Sequence, residues 1–237
     1  MVEDVRAAGG EVIAITSEPQ TLATEAMTHW AFGFDAVGDP HHEILDTCRK
    51  RGWLNLFTQD GALLKQARSW AEHPKGYFQP GVLALTQDGR VLYRWRCRPT
   101  RKNVGGAVER PAPEYVWTQT KARLDGPAED APLDDTAEMD VKPPPWPFFI
   151  SLLLAHGWFI KPKVFPLSRP GDPDNVHPAS VIPRLIGFVV LWLAAFAFLP
   201  TVWVAGALVA WGIFVWPGIA QIHREFQNVP DGEPDIP

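Results

Sequence analysis

The chain has 237 residues, a formal net charge of −5 and a pI near 5.8. No whole-chain basic field points to nucleic acid, and no nucleic-acid partner is expected. The length allows one ordinary domain plus a further segment. Mean hydropathy of −0.09 hides an asymmetry. The first half mixes charged and apolar residues as a soluble domain does, whereas 185–222 carries almost no charge. Several of the 11 tryptophans lie in or beside that stretch, where side chains of this kind meet a membrane interface. The 2 cysteines, Cys48 and Cys97, form no pair motif and suggest no disulfide framework. Glu3, Asp4 and Arg6 crowd the start with no apolar core at once behind them, so a secretory signal is not expected.

In chain order, 2–8 reads as the last turns of a helix stopped by Gly9-Gly10. "EVIAIT" (11–16) is apolar and β-branched, the pattern of a strand covered on both faces. A helix follows over 21–30 and a short strand over 34–37. Asp39 fits an N-cap with Pro40 at the first helical position, opening a helix over 41–51. Residues 53–79 read as an irregular aromatic insert with one helix near 61–70. "GVLALTQDGRVLYRW" then gives two strands, 82–86 and 91–95, around a glycine-containing turn. Val104-Gly105-Gly106 lacks the strand–turn–helix context of a nucleotide loop and reads as a flexible turn. A helix is expected over 113–124. The acidic, proline-rich segment 126–147 has a composition that cannot build a core and reads as a linker.

The tail meets a different solvent. "FFISLLLAHGWFI" (148–160) is too short to span a bilayer, and is either a helix on the membrane surface or a buried amphipathic piece. A polar loop completes 148–179. Within 180–224, the apolar stretch 185–222, divided at Pro200, would reach roughly 55 Å as one helix at ~1.5 Å per residue, far beyond a hydrocarbon core of ~30 Å. Two helices in a hairpin fit, with Gly206, Ala207, Ala210 and Gly212 permitting close approach. Arg184 at one end and His223 and Arg224 at the other share a side with Lys161, Lys163 and Arg169. By the positive-inside tendency that side is cytoplasmic, and the N-terminal domain faces the cytosol. Residues 225–237 form an acidic tail.

The order helix, strand, helix, short strand, helix, insert, β-hairpin, helix in 1–125 resembles the thioredoxin superfamily. "GGEVIAITSEP", "FDAVGDPHHEI" and "QPGVLALTQDGRVLYRWRCRPTRKNVGGA" carry a closer resemblance to its peroxiredoxin-like branch, the alkyl hydroperoxide reductase/thiol-specific antioxidant family. The resemblance implies an α/β fold with a thioredoxin-like sheet and flanking helices. In that family the first strand is central, and a T-x-x-C or C-x-x-C motif opens the helix behind it, where a thiol ionises readily. Against that pattern the sequence is N-terminally incomplete: first strand and motif are absent. Residues 11–16 and 82–86 would then face each other across a gap with unpaired backbone groups, a costly arrangement if buried. Either the natural chain is longer, or the domain has repaired the gap and lost the chemistry.

The resemblance implies thiol-dependent reduction of peroxides or disulfides, with a peroxide and a thiol reductant as partners if a longer chain exists. The chain as given is expected to be inactive. Membrane lipid is the other expected partner, and no cofactor is expected. The alternative is a non-enzymatic, membrane-tethered docking or structural module.

Candidate site residues follow. In a strand, Tyr93, Trp95 and Cys97 share one face and Arg94, Arg96 and Arg98 the other, so neighbouring cations would lower the Cys97 thiol pKa. That makes Cys97 a weak candidate nucleophile beside its plainer reading as a small apolar residue at a strand end. Cys48 reads as helix packing. Pro80 stands where thioredoxin-like proteins carry a cis-proline. Arg94, Arg96, Arg98, Arg101 and Lys102 form a basic cluster able to hold an anion or a headgroup, although a charge run at a loop is usually a solvated face. His41 and His42 point about 100° apart on a helix and have no partners at ligand spacing, so no metal site is expected.

Overall fold

Ile13–Thr16 (β1) pairs in parallel with Asp35–Gly38 (β2), with Ile13 opposite Asp35 and Thr16 opposite Gly38. The helix Gln20–Trp30 (α2) makes the crossover between them, as a parallel pair requires. This computed structural model describes residues 1–59, 73–106, 109–126, 128–165 and 176–227. The helix expected near 61–70, Arg169 and most of the acidic tail lie outside the described residues. The chain divides into two units, which for the described residues are 1–143 and 144–227.

In the first unit, Val2–Ala7 (α1) ends as expected, with Gly9 at φ +81°. Arg6 spans to the Glu11 carboxylate at 3.0 Å and to the Gly33 carbonyl at 2.7 Å, tying α1 to the segments on either side of α2. Asp39 does cap the next helix: its carboxylate accepts from the backbone N–H groups of Glu43, Ile44 and Leu45 at 2.7, 3.1 and 3.1 Å. The helix nevertheless starts at Glu43 rather than 41, as Glu43–Lys50 (α3), because Pro40–His42 turn first and His42 sits at φ +59°. The aromatic insert contributes an unexpected antiparallel pair, Thr58–Gln59 (β3) with Tyr77–Phe78 (β4).

Gly81–Leu85 (β5) and Val91–Arg96 (β6) form the expected hairpin, with Gly89 at φ +93° in the turn and a register shift at Ala84/Leu85. Behind it come a 3-10 turn, Arg101–Gly106, and the expected helix Pro113–Leu124 (α4). The inward faces of β6 and α4 meet: Tyr93, Trp95 and Cys97 are buried against Tyr115 and Val116.

Two expectations are corrected here. The proline-rich segment is not a free linker, because much of 130–140 packs along the outer edge of β6. Ala131 N–H donates to the Val91 carbonyl and Asp134 N–H to the Arg94 carbonyl, both at 2.9 Å, and Val91 N–H donates to the Asp130 carboxylate at 2.7 Å. Ala137 and Met139 join the Tyr93–Trp95–Cys97 cluster. An edge strand presents unpaired N–H and C=O groups, and this strap satisfies them without being a regular strand. Nor is β1 covered on both faces: Ile13 is 57% exposed and Ile15 46%. Among the described residues the strands form three two-stranded sheets, β1–β2, β3–β4 and β5–β6.

In the second unit, Trp146–His156 (α5) buries Ile150, Leu153 and Leu154. The helices Ile182–Phe198 (α6) and Thr201–Gln227 (α7) break at Leu199-Pro200, as the sequence predicts. α5 packs on the late part of α7 through Val215, Ile222 and Phe226, and on Val181 just ahead of α6. α7 runs past Pro217 to Gln227, three residues beyond the expected end of the hairpin. Pro178–Phe198 and Thr201–Phe226 are each long and apolar enough to cross a membrane. Large apolar side chains stand outward along both, among them Val190, Leu193, Trp203 and Ile213.

Candidate functional site

Between β1 and β5 lies an open groove. β1 pairs with β2 only and β5 with β6 only among the described residues. Two cavities occupy this groove. One, of about 430 Å³, opens on the α3 side and is walled by Ile15, Ile44, Cys48, Leu56, Phe78 and Pro80. The other, of about 410 Å³, opens on the side of α1 and α4 and is walled by Val5, Val12, Val116, Trp117 and Leu124. Ile13, Gly81 and Leu83 border both.

This layout follows from local structure. α1 ends at Gly9 and hands the chain to β1. Asp39 fixes the start of α3, whose apolar Ile44 and Cys48 then turn toward the groove. The β5–β6 turn returns the chain so that β6 takes the strap on one side and β5 on the other, leaving β5's far edge to the groove. Successive side chains of a strand point to opposite faces. An extended segment laid between the two edges would therefore send alternate side chains into the two cavities.

The thiols are poorly placed for nucleophilic chemistry. Cys97 is 2% exposed. Burial pushes its thiol up to about 11, an effect that outweighs the opposing charge of Arg110. The Asn103 amide donates to Cys97 Sγ at 3.5 Å and to the Arg98 carbonyl at 2.7 Å. Cys48 reaches the groove wall, but burial and then the charge of Asp39 raise its pKa as well. Both are free cysteines. A protonated thiol is a weak nucleophile, and burial works against the cationic activation expected of Cys97.

The other sequence candidates are dispersed. Pro80 follows a trans peptide bond, since no cis bond occurs among the described residues. It does border the α3-side cavity, and its carbonyl accepts from Cys97 N–H at 2.8 Å. The basic cluster is split. Arg94 and Arg96 are 4% and 6% exposed rather than solvated. Arg94 Nη1 donates to the Gly52 carbonyl at 2.8 Å, and Arg96 lies over the Phe57 ring at 5.0 Å. Both point away from the Cys97 face and toward the 52–57 segment. Arg98 and Lys102 are exposed, and the side chain of Arg101 lies outside the described residues. His42 is buried, with Nε2 3.1 Å from the Gly76 carbonyl, and burial lowers its pKa. His41 is exposed. No metal-binding group of three His, Cys, Asp or Glu occurs among the described residues.

Asn103 and Asp134 were not singled out in the sequence. Asn103 holds the 3-10 turn together, accepting at Oδ1 from the N–H groups of Thr100 (2.8 Å) and Gly106 (2.9 Å). Val104 there is 1% exposed and Gly106 abuts Gln79 and Cys97, so this is a packed corner and not a flexible turn. An Asn three residues ahead of a glycine was the available signal.

Fold and site together define a mixed helix-and-sheet chain with small two-stranded sheets and two long apolar C-terminal helices. Compared with family models, curated proteins and solved structures, the chain matches none of them.

Proposed function

We propose that this protein is a membrane-tethered docking module whose groove between β1 and β5 takes an extended strand of a partner polypeptide. The observation that carries the reading is the pair of cavities on opposite faces of the groove, between two strand edges each paired on one side only. Edges of this kind bind chains by main-chain pairing, and pockets for alternate side chains supply the preference. The cavity beside α1 and α4 is mainly aliphatic, whereas Thr16, Ser17, Gln79 and Arg110 share the walls of the one beside α3, so the docked strand carries apolar side chains on one face and small polar ones on the other. The resemblance of the α/β half to peroxiredoxin-like thioredoxin folds belongs to the same reading, with the gap between 11–16 and 82–86 as the interaction site. What favours this over thiol chemistry is the burial of Cys97 and the raised pKa of both cysteines.

The C-terminal hairpin is the tether. α6 and α7 cross the membrane, with Arg184 and the pair His223 and Arg224 on the cytosolic side, and the docking unit faces the cytosol.

The test uses the full chain in detergent or nanodiscs and a capped heptapeptide of alternating valine and threonine, against a scrambled proline-containing control. Binding should slow hydrogen exchange at amides 13–16 and 81–85 together. A charge in the groove, as in Leu83→Glu, should abolish that protection. Protection elsewhere, or none at millimolar peptide, would reject the reading.

A further inference from the structure

The turn that follows α5 is strained, and it faces outward. Trp158 and Phe159 both have positive φ, 56° and 59°. Such conformations cost bulky residues about 1–3 kcal/mol each and persist only where surroundings enforce them. The enforcing contacts are visible. Phe159 is drawn inward, its ring stacked on Phe188 of α6 with centroids 3.8 Å apart, while its carbonyl accepts from Trp211 Nε1 of α7 at 2.7 Å. Pinning Phe159 turns its two neighbours out: Trp158 is 65% exposed and Ile160 64%. Beside them, the Arg184 guanidinium lies over the Trp158 ring at 4.1 Å. Lys161 and Lys163 are exposed on either side of buried Pro162, which stands against Gly218 of α7.

We infer that this elbow is an interfacial anchor: Trp158 and Ile160 seat at the headgroup level of an anionic leaflet, and Arg184, Lys161 and Lys163 hold lipid phosphates. Three observations select lipid as the occupant. The elbow is continuous with the outward apolar surface of the hairpin, which runs through Ile182, Ile186 and Val189 on either side of Arg184. On α6 its level is that of Arg184, since Arg184 and Phe188 differ by one helical turn, ~6 Å. Its composition, indole and aliphatic side chains rimmed by lysine and arginine, is the composition of a membrane–water boundary. The strained turn keeps two apolar side chains out of the unit's own core so that they meet the bilayer. A tether through α6 and α7 alone would leave depth and rotation loose; this third contact fixes both.

The inference rests on the hairpin crossing a membrane, so the experiment reads the two separately. The full chain, with Ile160→Cys or Val190→Cys labelled by bimane, is reconstituted in vesicles of three parts phosphatidylcholine to one part phosphatidylglycerol. The unsubstituted chain supplies the blank for Cys48 and Cys97. The label at 190 should be quenched by lipid doxylated deep in the chain. The label at 160 should be quenched best by headgroup or shallow doxyl lipid and be shielded from aqueous iodide. Doxyl-phosphatidylglycerol should quench it roughly 2- to 5-fold more than doxyl-phosphatidylcholine, an excess lost in a Lys161→Gln, Lys163→Gln, Arg184→Gln variant. Quenching at 190 with free iodide access at 160 would overturn the anchor while leaving the tether. Equal quenching by the two shallow lipids would overturn the phosphate contact. Failure of lipid quenching at 190 would sink tether and anchor together.

Discussion

The side-chain amide of Asn103 donates to Cys97 Sγ across 3.5 Å, inside a corner where Gly106 closes over the same sulfur. The thiol is enclosed by its own loop. Native protein should therefore react with a thiol reagent only slowly and at Cys48 first, with Cys97 joining on unfolding. Peroxide added with dithiothreitol should disappear no faster than in the reagent blank. Peroxide turnover that vanishes in Cys97→Ser would restore the enzyme reading.

The same corner makes Gly106 intolerant of a side chain. Its φ is +83°, and an added Cβ would collide with Gln79 and Cys97. Gly106→Ala should lower stability by about 2–4 kcal/mol, strain and overpacking combined. Chemical denaturation gives the number, and an unchanged midpoint would show that the corner yields.

Stability should fall on the alkaline side. Burial raises the Cys97 thiol to about 11. Burial and the neighbouring Asp134 raise Tyr93 in the same direction. Both groups are neutral when protonated, and the fold favours that form. An unfolded thiol ionises near ~8.5, so the Cys97 contribution is complete below that pH and is lost as pH rises through its folded value. Tm should drop between pH 9 and 11, less steeply in Cys97→Ala. A flat profile over that range would contradict the burial of both groups.

Asp134 is one of two carboxylates that hold the strap, with Asp130. Asp134 Oδ2 accepts from Tyr115 at 2.9 Å and from Tyr93 at 3.1 Å, while Oδ1 accepts from Thr136 N–H at 3.0 Å. Asp134→Ala should cost about 2–3 kcal/mol, because it leaves two phenols without their acceptor. Proteolysis within 128–140 should accelerate with it. Asp134→Asn retains an acceptor oxygen and should cost less.

The two halves of the basic cluster should behave oppositely. Arg94→Gln or Arg96→Gln removes a buried cation bonded to backbone carbonyls and should cost about 1.5–3 kcal/mol. Arg98→Gln and Lys102→Gln lie at the surface and should stay within about 0.5 kcal/mol of the parent. Thermal melts of the four variants side by side decide it.

Local chemistry was legible in the sequence. Gly9 stops α1, Asp39 caps α3, the Gly89 turn joins β5 to β6, and Pro200 divides the apolar tail, because each depends on residues a few positions apart. The alternation of Tyr93, Trp95 and Cys97 against Arg94 and Arg96 was also legible, since a strand's period is fixed by its backbone. What that alternation faces was not. The arginines read as solvent-facing because a charge is assumed to stay in water, yet the carbonyls of 52–55, some 40 residues away, draw them in. The proline-rich segment read as a linker because its composition cannot form a core alone, whereas the open edge of β6 gave it one to join. The groove is divided in the same way: a gap between 11–16 and 82–86 was expected from the resemblance, but the two cavities that line it are built by α1, α3 and α4 and exist only in three dimensions. Sequence determined the elements and their ends, through steric and hydrogen-bond rules that act over a few residues. Tertiary structure alone decided which edges and which charges found partners, because that depends on surfaces supplied by distant parts of the chain.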